Sequence, residues 1–91
     1  MLTTESIPQP AQGVIGRRVD DEAVLVLPDR GQVKVVNPVG ARIWELVDGR
    51  RSVAAIAEAI CAEYQVERDQ AEADVLEFLH ALADKGAIRA G

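Results

Sequence analysis

QVKVVNPVGARIWELVDGRRSV, residues 32–53, sets a strand, a helix start, a helix stop and a second helix start in immediate succession. Val33, Val35 and Val36, interleaved with Gln32 and Lys34, have the β-branched content and two-residue alternation of a strand. Val33 and Val35 share one face; Lys34 and Val36 share the other. Asn37 then offers a side-chain oxygen to the orphan N–H groups of a helix, and Pro38 suits the first helical position, where its missing donor costs nothing. Val39, Ile43 and Val47 recur at four-residue spacing beside Trp44, so the helix from Pro38 to about Asp48 buries one stripe, and Gly49 ends it. Ser52 is placed to cap the next helix.

Upstream, AVLVLP (23–28) is a second apolar strand, and PDRG (28–31) joins it to the first as a turn in which Gly31 takes a positive φ. The pair reads as an antiparallel hairpin. GVIGRRV (13–19) adds a further strand, closed by the acidic turn Asp20, Asp21 and Glu22. Residues 1–12 carry Pro8 and Pro10 without any period and read as a flexible N-terminal arm, leaving 13–91 as the folded domain.

Downstream, a helix from Ser52 to about Tyr64 aligns Val53, Ile56, Ala57, Ile60 and Tyr64. The longest helix, about Arg68 to Lys85, turns Ala71, Val75, Phe78, Leu79 and Leu82 inward and stops at Gly86. Leu76 and Ala83 widen its apolar arc beyond the stripe, as added core or as one wall of a groove. AIRA (87–90) is a last short strand or a frayed end. The predicted fold is α+β: a three-stranded antiparallel sheet followed by three helices, of winged helix-turn-helix type.

Composition bounds the function. The 91 residues and 9.8 kDa are one domain, and the net charge of -5 is unevenly spread. Residues 1–51 hold seven acidic and seven basic side chains; residues 52–91 hold eight acidic and three basic. The helical half therefore repels phosphate, against a DNA-binding winged helix. Cys61 is the sole cysteine and His80 the sole histidine, so neither a disulfide, a zinc site nor a catalytic pair is expected. No cofactor, metal or enzymatic activity is predicted. No signal segment and no run of roughly 18 apolar residues occurs, so a cytoplasmic location is expected, without membrane association.

The remaining classes are binding modules. A short sheet leaves an unpaired edge, and an edge beside a helix forms a cleft with backbone donors on one side and apolar side chains on the other. Such a cleft takes a peptide by strand addition. The alternative is an adaptor that dimerises through the same edge, so the chain is expected as a monomer or a weak homodimer.

VVNPVGARIWELVDG, RRSVAAIAEAI and AEADVLEFLHALADKG, in that order and spacing, resemble the PqqD family, over residues 14–88. These small proteins recognise precursor peptides in pyrroloquinoline quinone biosynthesis and in other pathways to ribosomally made, modified peptides, lasso peptides included. The resemblance implies a precursor-peptide recognition element whose leader adds as an antiparallel strand to QVKVV and lies against the last helix. Carried onto this sequence, it places the backbone of Val33, Lys34, Val35 and Val36 on one side of the leader. Asp69, Glu72, Ala73, Leu76 and His80 stand on the other. The implied partners are the precursor's leader and a modifying enzyme or leader peptidase, with no nucleic acid. Pro38 and Glu67 depart from the family's pattern, which often has an acidic residue at the first position and Asp at the second. For most of these residues a structural role is also open: Lys34 as a solvated edge residue, Asp69 and Glu72 as complements to the helix dipole, and Trp44 as core.

Overall fold

Two-residue alternation in the strands and three-to-four spacing in the helices are realised in a computed structural model that describes residues 2–27 and 31–90. The elements in chain order are β1 (Pro8–Pro10), β2 (Ile15–Val19), β3 (Glu22–Leu27), β4 (Gln32–Val36), α1 (Pro38–Leu46), α2 (Val53–Tyr64), α3 (Arg68–Asp84) and β5 (Ile88–Ala90). Strands β2, β3 and β4 form an antiparallel sheet in that order, and three helices follow it, which is the α+β order expected. The turn residues Pro28, Asp29 and Arg30 lie outside the described residues. Gly31, which closes that turn, has φ +59°, the left-handed region that glycine enters without strain.

Pleating turns Ala23, Leu25 and Leu27 of β3 and Val36 of β4 to one face, where they are buried. They meet the inward stripes of the helices: Ile43 and Leu46 of α1, Val53, Ile56 and Ile60 of α2, and Val75, Leu79 and Leu82 of α3. Gly16, which weakens β2 as a strand on propensity alone, lies directly against the Trp44 indole. A side chain there would hold the sheet off α1, so the glycine is what lets the two layers close.

The helix starts follow their caps. Asn37 Oδ1 accepts from Gly40 N–H at 2.7 Å, and Ser52 Oγ accepts from Ala55 N–H at 3.1 Å. Helix α1 ends at Leu46, before Asp48, because Val47 leaves helical geometry with its side chain buried. Asp48 then organises the turn, its Oδ1 accepting from the N–H groups of Arg50 and Arg51 at 2.9 and 3.0 Å. Glu67 precedes α3 without making a side-chain cap bond.

The N-terminal segment corrects the sequence expectation. Residues 2–12, read as a flexible arm, are laid against the helical half: β1 pairs antiparallel with β5, matching Pro8 with Ala90 and Pro10 with Ile88. Leu2 and Pro8 are buried. Val53 N–H donates to Ser6 O at 2.8 Å, Ala54 N–H to Thr4 O at 2.9 Å, and Gly49 N–H to Pro8 O at 3.1 Å. The arm has no internal period because its partners are distant in sequence. It supplies the carbonyls that satisfy the first N–H groups of α2.

Candidate peptide-binding cleft

The site begins where β4 runs into α1. No strand pairs with the outer edge of β4 among the described residues, because β1 is committed to β5 in a separate two-stranded sheet. Directly after β4, between the start of α1 and α3, opens a cleft of about 430 Å³. Asn37, Val39, Gly40 and Ile43 line it from α1 and its cap, and Asp74, Glu77, Phe78 and Ala81 from α3. Its base is apolar and its rim acidic. Gly40 is the residue that shapes it: a Cβ there would come within 2.9 Å of Phe78 Cε1, so only a bare backbone lets the ring lie across α1. Asp74 accepts from Gln70 Nε2 at 2.8 Å, and neither Asp74 nor Glu77 has a basic partner among the described residues.

Of the sequence-predicted residues, the β4 set lies on the edge strand of the sheet. Val33 and Val35 are exposed, Lys34 is half-buried and Val36 closes the core. The α3 set is not beside the cleft. At about 100° per residue, Phe78, Asp74 and Ala81 fall on one flank of the buried Ala71–Val75–Leu79–Leu82 stripe, whereas Glu72 and Leu76 fall on the other. Asp69 and His80 lie further round that second flank, and Ala73 on the back of the helix. Leu76 packs against the core, Glu72 Oε2 stands 3.7 Å from Arg68 Nε, and His80 has an enclosed Nε2 without a hydrogen-bond partner. The apolar arc of α3 widens in both directions, and only the position of α1 tells which edge becomes the wall. Phe78, placed in the core by spacing alone, was the signal for the other flank.

Ion pairs brace the frame behind the cleft. Arg42 of α1 donates to both carboxylate oxygens of Glu63 of α2, at 2.8 and 2.9 Å. This bidentate contact holds the Glu63 carboxyl below the ordinary carboxylate range and raises the Arg42 guanidinium further. Asp48 is also held low, chiefly by the N–H groups of Arg51 and Arg50. Cys61 Sγ donates to Val66 O at 2.9 Å, a packing role at the end of α2. Among the described residues no group of three or more His, Cys, Asp or Glu is placed to hold a metal, and no helix is long and apolar enough to cross a membrane. What the arrangement offers is an unpaired strand edge, an apolar hollow and two carboxylates.

The family model of coenzyme PQQ synthesis protein D (PqqD) matches residues 22–88, from the start of β3 into β5. The chain belongs to the PqqD family. A PqqD relative, the PqqA binding protein of Rhodopseudomonas palustris (strain HaA2), is 40% identical over 65 residues, 71% of this chain. The match spans 62% of that relative, less than two thirds of its length. Among solved structures, TbiB1 in complex with the TbiA(beta) leader peptide is 37% identical with a TM-score of 0.82, covering 89% of this chain and 94% of TbiB1. The PqqD truncation of Methylobacterium extorquens PqqCD is a stand-alone recognition element for ribosomally synthesised and post-translationally modified peptides. It has a TM-score of 0.83 at 26% identity, covering 98% of this chain and 95% of its own.

Proposed function

We propose that this chain binds the leader segment of a ribosomally made precursor peptide in the cytoplasm, performs no chemistry itself, and presents the peptide to a modifying enzyme or a leader peptidase. The observation that carries this is the open edge of β4 in a chain similar to TbiB1, which is solved with a leader peptide bound, with an apolar cleft between α1 and α3 where β4 ends. The leader adds as an antiparallel strand along Val33, Lys34, Val35 and Val36, whose alternate residues turn their N–H and C=O groups to the open edge. One inward side chain enters the hollow between Val39, Ile43 and Phe78, and the rim of Asp74 and Glu77 favours a neutral or basic neighbour. Asp69, Glu72, Ala73, Leu76 and His80 lie on the other flank and back of α3, outside the cleft lining.

A strand of five or six residues with one or two apolar anchors supports a Kd between about 0.1 and 1 μM, roughly −8 to −10 kcal/mol. Binding raises the concentration of substrate beside the enzyme, which is the physical gain of a separate recognition element. Hydrogen exchange tests the docking mode. Adding the leader of the precursor encoded beside the gene is expected to protect alternate amides of β4 and leave β2 unchanged. Protection confined to β2, or a titration without heat at 100 μM peptide (roughly 100- to 1,000-fold over the expected Kd), rejects the reading.

A further inference from the structure

An antiparallel sheet with one face on a core ordinarily buries apolar side chains and turns polar ones outward. The middle of β4 inverts this. Register lays Ile15, Val26 and Val33 in one outward row and Arg17, Val24 and Val35 in the next, so the outer face of the sheet is largely aliphatic. Lys34 instead shares the core face with Val36, directly across from Leu25, which is fully buried. It is half-buried, and it makes no ion pair among the described residues. With β3 on one side and no strand on the other among the described residues, Lys34 stands at the vacant edge. Any strand added there in the same sheet sets one inward side chain directly across from it. The sign of the charge then reverses along the strand, because the cleft that opens after β4 is rimmed by Asp74 and Glu77.

We propose that Lys34 sets the register and the class of peptide that the β4 edge accepts: a leader with an Asp or Glu directly across from Lys34. This rests on the leader-docking reading. The sign reversal is what makes the register unique. A leader slipped by one residue turns its carboxylate to the outer face, among the valines. One slipped by two residues toward the cleft, about 6.8 Å, carries the carboxylate from Lys34 toward Asp74 and Glu77. The direction of the leader follows as well. β4 runs toward the cleft, so an antiparallel leader runs away from it, and the residue that enters the cleft precedes the carboxylate in the leader's sequence. The same lysine works against a second copy. Two β4 strands paired about their middle residue set one Lys34 against the other, and like charges directly opposite destabilise a strand pair. An inward-pointing charge on an edge strand blocks self-pairing, yet admits a strand of complementary charge.

The test is a charge swap between chain and peptide. The synthetic leader of the precursor encoded beside the gene is titrated against the unaltered chain, Lys34→Arg and Lys34→Glu. Lys34→Arg is expected to bind within about twofold of the unaltered chain and Lys34→Glu about tenfold more weakly. Leader peptides with each Asp or Glu changed in turn to Lys then locate the partner. One of them is expected to bind the unaltered chain about tenfold more weakly and to regain most of that affinity on Lys34→Glu. The peptide reversals are read on the unaltered chain too, so the result does not hang on the folding of one variant. Leader that binds the unaltered chain and Lys34→Glu alike, or a set of reversed peptides none of which is rescued, overturns the proposal and leaves the docking reading standing. Leader that binds none of the chains rejects both. A concentration-dependent dimer of the unaltered chain in sedimentation that leader does not dissolve also overturns the proposal, and assigns the edge to a second copy.

Discussion

Gly40 shows how one missing side chain shapes a site. Its neighbours in α1 would gain helicity from alanine, worth about 1 kcal/mol. The Cβ, however, would press on Phe78, whose far ring edge is 2.9 Å away, and the ring is free to yield into the cleft. Gly40→Ala is therefore expected to change unfolding free energy by less than about 1 kcal/mol while weakening leader binding roughly fivefold or more. Calorimetry beside a urea melt separates the two effects; a tight-binding Gly40→Ala chain would show that Phe78 is not a wall. Gly16 is the opposite case. There the neighbour is the Trp44 indole, itself packed against the core, so a side chain would disturb the sheet–helix contact directly.

At the scale of elements, α1 is positioned by contacts on three sides: the sheet through Trp44, α3 through Phe78, and α2 through Arg42–Glu63. The last of these sets an acid response. A carboxyl held below its unfolded pKa stabilises the fold fully above that unfolded value and loses the contribution as pH falls through the folded one. Glu63 and Asp48 both have this sign. The urea midpoint is expected to be flat near neutrality and to drop below about pH 4, with Arg42→Gln showing a shallower drop because Glu63 then titrates alike in both states. An acid slope identical in the two chains would show that the pair contributes nothing measurable, as many exposed pairs do.

Over the whole molecule, the two chain ends are joined by one small sheet. Leu2, Pro8 and Ile88 are buried, and carbonyls of the segment before β1 accept from the first N–H groups of α2. A chain beginning at Gly13 exposes Ile88, loses two buried side chains and leaves the N–H groups of Val53 and Ala54 without their partners. At about 1.5–3 kcal/mol for each buried side chain, it is expected to lose at least about 3 kcal/mol of stability in denaturant titration. That is a large share of what a domain of this size has. An unchanged midpoint would mean the arm is only laid on the surface.

The sequence by itself determined every element from β2 to α3, because each is set by neighbours within a few residues: the Asn37–Pro38 start, the Ser52 cap, the valine alternation of β3 and β4, and the inward stripes of α2 and α3. It also disclosed the vacant β4 edge, since a strand that runs straight into a helix leaves nothing nearby in sequence to pair with it. Three features waited for the tertiary structure. The arm's strand pairs with residues at the far end of the chain, the outer sheet face is apolar only when three strands are laid in register, and the wall of the cleft depends on which side of α3 receives α1. Periodicity gives the angle of a side chain around its own helix; the direction from which another helix arrives is a property of the packed whole.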